Sequence, residues 1–391
     1  MGYVAVRGGG KAIEESLKLL EYERVSASSA WGTDEIEGTF PELVDQVMGE
    51  ASLYAPRLAA LALKQAQGSP DEAVFLLRAF RSTLERPYVS RPVDTAQMRV
   101  ARRVSAAFKD VPGGQVLGAT RDYSHRLLAF DLETEGAEEL AEKRAELAAH
   151  FEEAAEAPER DAAPAVMPRV LDYLRAQGLL AHVDADDADD AEPVDATMVP
   201  LSFPAPRSVR LQTLARGMTQ AVEALGYAAI RGFGPAHPTV GELRSGRVAV
   251  AVDHPLEAGG QQDAYYLGSI PVTEVESVFE DEGTADGGAG SDARSGGLSL
   301  AIGYGLVFGR AETKAIAMSV LDHCLEHGDA RFPTEDEEFV LYHVDGVEAT
   351  GFISHLKLPH YVTFQSKLSS VRGTRDQSAA ASKEACDAAA L

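Results

Sequence analysis

The sequence predicts an α+β fold, with a helical N-terminal part followed by a mixed-sheet C-terminal part. Three observations lead there. Apolar residues recur at helical spacing near the start, as in Ile13, Leu17 and Leu20. The C-terminal half alternates branched with small or polar residues, as in Arg247-Val248-Ala249-Val250-Ala251-Val252-Asp253. Strand and helix signals mix there without the regular βαβ alternation of a doubly wound sheet.

In chain order, Tyr3–Arg7 reads as a short strand, followed by Gly8-Gly9-Gly10-Lys11 and a helix over about Ala12 to Tyr22. Glu23 to Gly38 has no period and reads as a loop, and a helical region follows Pro41. Ser69-Pro70-Asp71-Glu72 opens a helix: Ser69 caps it, Pro70 fits its first turn and Glu72 completes a capping box. That helix is expected to reach about Arg86 and stop before Pro87. Glu133 to Asp161 carries 11 acidic and 3 basic residues and reads as an exposed acidic helix or a solvated linker. Ala181 to Ala196 and Glu280 to Gly297 read as loop or disordered insertions. Leu298 to Phe308 reads as a strand, Ala311 to Glu326 as a helix with Ile316, Val320 and Leu321 inward, and Phe339 to Tyr342 as another strand. A disordered tail is expected beyond Ser369. The expected organisation is therefore a helical part over 1–132, an acidic connection over 133–200, an α+β part over 201–368 and a tail over 369–391.

Composition narrows the function classes. The 391 residues allow one large domain or two ordinary ones. The formal net charge of -25 argues against non-specific binding to nucleic acid or a membrane surface. Neither a membrane-length apolar run nor a secretory leader is apparent, so a soluble cytoplasmic protein is expected. Cys324 and Cys386 form no C-x-x-C pair, which excludes a cysteine zinc site as the natural reading. The basic residues comprise 9 Lys and 27 Arg, a lysine-poor, acid-rich balance suited to a salty cytoplasm or simply to a codon-biased genome.

Four segments could carry chemistry. Gly8-Gly9-Gly10-Lys11 could cradle an anion at a helix N-terminus, but lacks phosphate-loop spacing, and a plain tight turn is the preferred reading. Arg99 to Arg126 holds Arg99, Arg102, Arg103, Lys109, Arg121 and Arg126 against Asp110 and Asp122, a local +4 in an acidic chain. Guanidinium forks bind phosphate oxygens in pairs, so this stretch suits a phosphate-rich ligand; surface salt bridges are the alternative. Arg231-Gly232-Phe233-Gly234-Pro235-Ala236-His237-Pro238, continuing through Glu242 and Arg244 to Gly246, reads as a shaped loop. His355 and His360 straddle Pro359 and could converge on a metal. Two imidazoles are too few for a closed site; Asp345, Glu348, a partner, water or substrate would have to complete it.

Taken together, several segments resemble the PhnI family, the I subunit of the carbon–phosphorus lyase core complex. They include Phe108-Lys109-Asp110-Val111-Pro112-Gly113-Gly114-Gln115, Asp122-Tyr123-Ser124-His125-Arg126-Leu127-Leu128, and Gly303-Tyr304-Gly305-Leu306-Val307-Phe308-Gly309. Most telling is Gly351-Phe352-Ile353-Ser354-His355-Leu356-Lys357-Leu358-Pro359-His360-Tyr361-Val362. The resemblance implies assembly with the G, H and J subunits and the ATP-binding-cassette proteins K and L. It implies displacement of adenine from MgATP by an alkylphosphonate, giving ribose 1-methylphosphonate 5-triphosphate, and purine nucleosidase activity for the chain alone. It also implies zinc on His355 and His360 near the J interface. Such a displacement needs a carboxylate near a cationic ribose and is eased by protonating the base. Glu242, Asp110 and Asp122 are candidates for the first role, and His125 and His237 for the second. Arg102, Arg103, Lys109, Arg121, Arg126, Arg231 and Arg244 are candidates for holding the triphosphate. A scaffold lending zinc ligands to an interface is the competing expectation, and a stand-alone nucleoside hydrolase a third.

Overall fold

Alternation along Glu242-Leu243-Arg244-Ser245 sends charge to one side of a strand and apolar or small groups to the other, and the sheet is built on that alternation. The computed structural model describes residues 9–26, 30–156, 167–180, 193–234, 237–255, 264–281, 299–327 and 331–388. These divide into two units, one of Met1–Gly32 with Gly346–Leu391 and one of Thr33–Asp345.

In the larger unit, helices α2 (Thr33–Thr39), α3 (Pro41–Ala51), α4 (Pro56–Gln65) and α5 (Pro70–Arg81) pack through Val47, Met48, Ala60, Leu63, Val74 and Leu77. Strand β1 (Arg99–Val104) follows, then the acidic helix α6 (Ala137–Glu156), which is exposed along its described side chains, and the short α7 (Asp172–Ala176). Helices α8 (Arg207–Arg216) and α9 (Thr219–Ala228) lead through a π-turn at Ala229–Phe233 into β2 (Thr239–Asp253), β3 (Ala264–Asp281) and β4 (Ser299–Phe308). The unit ends in α10 (Glu312–His327) and α11 (Glu337–His343). Sheet order is β1-β2-β3-β4, every neighbour antiparallel.

The α+β class stands, but the expected mixed sheet is an antiparallel one; among the described residues parallel pairing is confined to the isolated bridge Leu180–Leu300. Register puts Leu243, Val275 and Val307 on one face, where they pack with Leu214, Val222, Ala315, Met318 and Leu321 of α8, α9 and α10. Gly303 and Gly305 let α10 lie directly on β4: a Cβ would come within 1.9 Å of Ser319 O and 2.1 Å of Ala315 O respectively. The other face carries Glu242, Arg244, Glu274, Glu276 and Tyr304 and is covered by Thr95, Met98 and the segment 167–180.

The smaller unit holds α1 (Gly9–Arg24), α12 (Gly346–Ser354), a 3-10 turn at His355–Lys357 and α13 (Tyr361–Ala388). The helix expected around Ala12 to Tyr22 is present as α1, yet Ile13, Leu17 and Leu20 are exposed.

Several expectations are corrected. The loop expected over Glu23 to Gly38 contains the start of α2, whose single buried residue, Ile36, is too little to give a period. Helix α5 is capped as expected by Ser69, which accepts from Glu72 N, but ends at Arg81. There Ser82 and Thr83 turn their hydroxyls onto the carbonyls of Ala79 and Phe80, which competes with continued helix. Phe339 to Tyr342 is helix, because Asp336 caps it at Phe339 N (2.9 Å) and four apolar residues cannot distinguish the two periods. Beyond Ser369 the chain is helical in α13 rather than a disordered tail: Ala379, Ala380 and Ala381 are small residues, but alanine is also the strongest helix former. Gly241 to Gly246 is strand rather than loop. A domain boundary at 132 would sever β1 from the sheet. The strand expected at Tyr3–Arg7, Gly8, and the insertions over 181–192 and 282–297 lie outside the described residues. Among the described residues no helix is long and apolar enough to cross a membrane.

Candidate active-site cleft

Arg102 and Arg103 are sequence neighbours on β1, so the strand sends their side chains to opposite faces. Arg103 goes to the sealed, charged face. Its Nε donates to Glu242 Oε1 at 2.5 Å, while Nη1 and Nη2 donate to the carbonyls of Pro112 and Pro168, both at 2.6 Å. Glu242 Oε2 accepts from Val170 N at 3.0 Å. The pair is 1% and 2% exposed. Arg244 is equally buried and pairs with Glu274, which also accepts from Thr95 Oγ1 (2.6 Å), the Tyr304 hydroxyl (2.9 Å) and Arg169. Burial alone would raise the Glu274 carboxyl, but Arg244, the Thr95 hydroxyl and Arg169 outweigh it and hold it below its usual range. Burial, then the Glu274 charge, push the Tyr304 hydroxyl upward. These groups fasten covering segments to the sheet. Glu242, Arg103 and Arg244 therefore do not line the open cleft: their hydrogen bonds run to protein groups, and Arg244 Nη1 is buried without a partner among the described residues.

Arg102 goes the other way, to the face where a cleft of about 850 Å³ opens between α3, the sheet and the start of α10. Small-molecule sites fall at about 300–1,000 Å³. Helix α3 contributes Glu42 and Asp45, the loop 119–126 contributes Arg121, Asp122 and Arg126, β2 contributes Arg247, the β4–α10 turn contributes Arg310, and the start of α10 contributes Glu312. Arg102 donates to Glu312 Oε1 (2.6 Å), Asp122 Oδ2 (2.7 Å) and Leu117 O (2.6 Å). Arg121 grips both oxygens of Glu42 at 2.7 and 2.6 Å, and Arg126 lies 3.6 Å from Asp122. Asp45 Oδ2 accepts from Arg310 N at 3.3 Å. Burial lifts the Asp45 carboxyl above its usual range; the Arg310 N–H and charge oppose the lift, and Glu42 adds to it. Interleaved guanidinium and carboxylate groups suit a magnesium–polyphosphate, in which phosphates take arginines and the hydrated cation takes carboxylates.

Of the seven expected phosphate-binding residues, Arg102, Arg121 and Arg126 thus share the cleft. Lys109 and Asp110 are exposed on a loop outside its lining, and Arg231 lies 5.9 Å over the Tyr227 ring. His125 sits in the rim segment without lining the cleft, and exposed His237 contacts the Pro238 carbonyl at 3.2 Å. Sequence reasoning missed Arg247, Arg310, Glu312, Glu42 and Asp45. Arg310 directly follows the Gly303–Gly309 motif, which was the available signal.

In the smaller unit the His355 and His360 rings are 5.5 Å apart at 63°, His355 half-buried and His360 exposed. Each turns Nδ1 to a main-chain carbonyl, His355 to Phe352 and His360 to Leu358 at 2.6 Å. With Nδ1–H donated there, each Nε2 keeps its lone pair, the arrangement usual for ligating histidines. Among the described residues no third His, Cys, Asp or Glu joins them as a metal group. Asp345 is engaged elsewhere, with Arg78 at 2.8 Å and Arg216 at 3.5 Å.

A family model described as bacterial phosphonate metabolism protein (PhnI) matches residues 2–378. The chain is 43% identical over 372 residues to the alpha-D-ribose 1-methylphosphonate 5-triphosphate synthase subunit PhnI of Escherichia coli K12, covering 94% of the chain and 96% of the relative. It is 42% identical over 385 residues to the protein of the same name from Rhizobium meliloti, covering 97% and 96%. HtxH of Stutzerimonas stutzeri is 43% identical over 386 residues, covering 97% and 98%.

Proposed function

The chain belongs to the PhnI family of bacterial phosphonate metabolism proteins, and from that premise we propose that its cleft binds MgATP for displacement of adenine by an alkylphosphonate. The product is ribose 1-methylphosphonate 5-triphosphate, and water in place of phosphonate gives nucleosidase activity. The observation that carries this reading is the convergence of Arg102, Arg121, Arg126, Arg247 and Arg310 with carboxylates on one cleft in an otherwise acidic chain. The arginines orient the triphosphate, and the carboxylates accept the hydrated magnesium that arrives with it. The chain works as a subunit of the carbon–phosphorus lyase complex, with partners G, H and J and the ATP-binding-cassette proteins K and L.

The paired Nε2 atoms of His355 and His360 fit a zinc half-site whose remaining ligands come from a partner. Bound zinc would supply Lewis acidity at that junction; the two imidazoles would fix its position. A scaffold reading draws on the same half-site and on exposed Phe352, Ile353, Leu356 and Leu358 beside it. Purified complex should release adenine from MgATP, and Arg247→Ala should raise the KM for MgATP by roughly tenfold, the effect of about 1.4 kcal/mol of lost binding. Release that is absent under all conditions would leave the scaffold. Zinc content should fall by one equivalent per chain in His355→Ala and in His360→Ala; unchanged metal content would exclude the half-site.

A further inference from the structure

Among the carboxylates lining the cleft, Glu42 is held by Arg121, and Asp122 and Glu312 are both held by Arg102. Asp45 differs. Among the described residues it has no ion-pair partner, and its one hydrogen bond comes from a main-chain N–H, that of Arg310, to Oδ2. Glu37, the remaining unpaired carboxylate of the lining, is held by no hydrogen bond among the described residues. Asp45 is also fixed from behind. Gly309 has φ +68 and passes so close that a Cβ would fall 2.0 Å from Asp45 Cγ. The backbone therefore gives up a side chain where the carboxyl needs room, and Oδ1 has no hydrogen-bond partner among the described residues.

We infer that Asp45 is the general acid of the cleft, handing its proton to the purine as the purine departs. This rests on the reading of the cleft as the nucleotide site. In the step, the C1′–N9 bond breaks and its electron pair passes to the purine. A purine ring nitrogen takes the Asp45 proton, so the base leaves neutral. An oxygen of the phosphonate anion forms the new bond to C1′; when water attacks instead, it gives one of its protons to solvent. Asp45 is left as a carboxylate, stabilised by the Arg310 N–H and guanidinium, and regains its proton from solvent. Burial raises the Asp45 carboxyl above its usual range and Glu42 adds to the rise, against the Arg310 N–H and charge, which is the direction an acid in this position requires.

The test compares two substrates in the assembled complex. ATP needs its base protonated; 7-methylguanosine 5′-triphosphate carries a base that is already cationic and leaves without a proton. In Asp45→Asn, adenine release from ATP should fall by about 10²–10⁴-fold, while ATP affinity and 7-methylguanine release stay within about threefold of wild type. Equal loss on both substrates, or undiminished release from ATP, would overturn the assignment. Should Asp45→Asn fail to assemble, Asp45→Ser carries the same comparison. The two layers fail separately: ATP affinity unmoved by Arg121→Ala and Arg247→Ala together removes the nucleotide from the cleft. Affinity lost in those variants, with Asp45→Asn fully active, removes only the general acid.

Discussion

The sealed and the open side of the sheet use the same chemistry, arginine against carboxylate, for opposite purposes. Arg103 on one side and Arg102 on the other differ by one position in β1. Arg103 meets Glu242 where both are dry and every donor used reaches protein. Arg102 meets Asp122 and Glu312, which are half and about a quarter exposed, and looks into a cleft. A charged pair without a cavity is structural cement, whereas a charged group at a cavity wall is available to a ligand. Residue type does not distinguish the two; solvent access does.

The largest effect should come from breaking the sealed side. Arg103→Ala strands Glu242, and losing one partner of a buried pair costs about 3–5 kcal/mol. Denaturant unfolding should show that loss with or without nucleotide; an effect below about 1 kcal/mol would mean the pair is hydrated after all.

A second sealed charge gives a pH signature. Lys314 is wholly buried, donates to the carbonyls of Ala215 (2.8 Å) and Gly217 (2.7 Å), and burial depresses its pKa from 10.5 to about 8. Between those values the folded protein has shed a proton that the unfolded chain still holds. Unfolded chains then bind more protons, so stability rises with pH across that window. The gain is up to about 3 kcal/mol, because each tenfold change in proton affinity is worth about 1.4 kcal/mol. Unfolding free energy measured between pH 8 and 10.5 should rise for wild type and lose this slope in Lys314→Met.

Gly309→Ala tests the border between the two sides. It forces a left-handed residue to carry a Cβ against Asp45, and should cost about 1–3 kcal/mol by thermal unfolding. Full stability would show that the turn can move away. The smallest effect on stability belongs to the open side: Arg121, 71% exposed, should change stability by no more than about 0.5 kcal/mol on conversion to Ala, while MgATP binding weakens. A larger loss of stability would make it structural like Arg103.

The sequence by itself determined the class of fold, the capped helix at Ser69, the strands at Arg247–Asp253 and 299–308, the helix of α10 and, through its motifs, the family. Those signals are local: a period, a cap, a spacing. It also singled out Arg99 to Arg126 as the anomalous basic stretch of an acidic chain, and three arginines of that stretch line the cleft. It paired His355 with His360, and the folded rings do lie together, because five residues and a proline bend bring them there.

Only tertiary structure decided which arginine faces what. Glu242 and Arg244 read as members of a functional loop because glycines flank them, but antiparallel pairing with β3 makes them strand and roofs them over. Asp45 had no signal of its own on an amphipathic helix. It matters because Gly309 and Arg310, more than two hundred and sixty residues later, bring the end of β4 against it. Solvent access and a carboxylate's neighbours are set by which segments meet across the chain, and no local pattern carries that information.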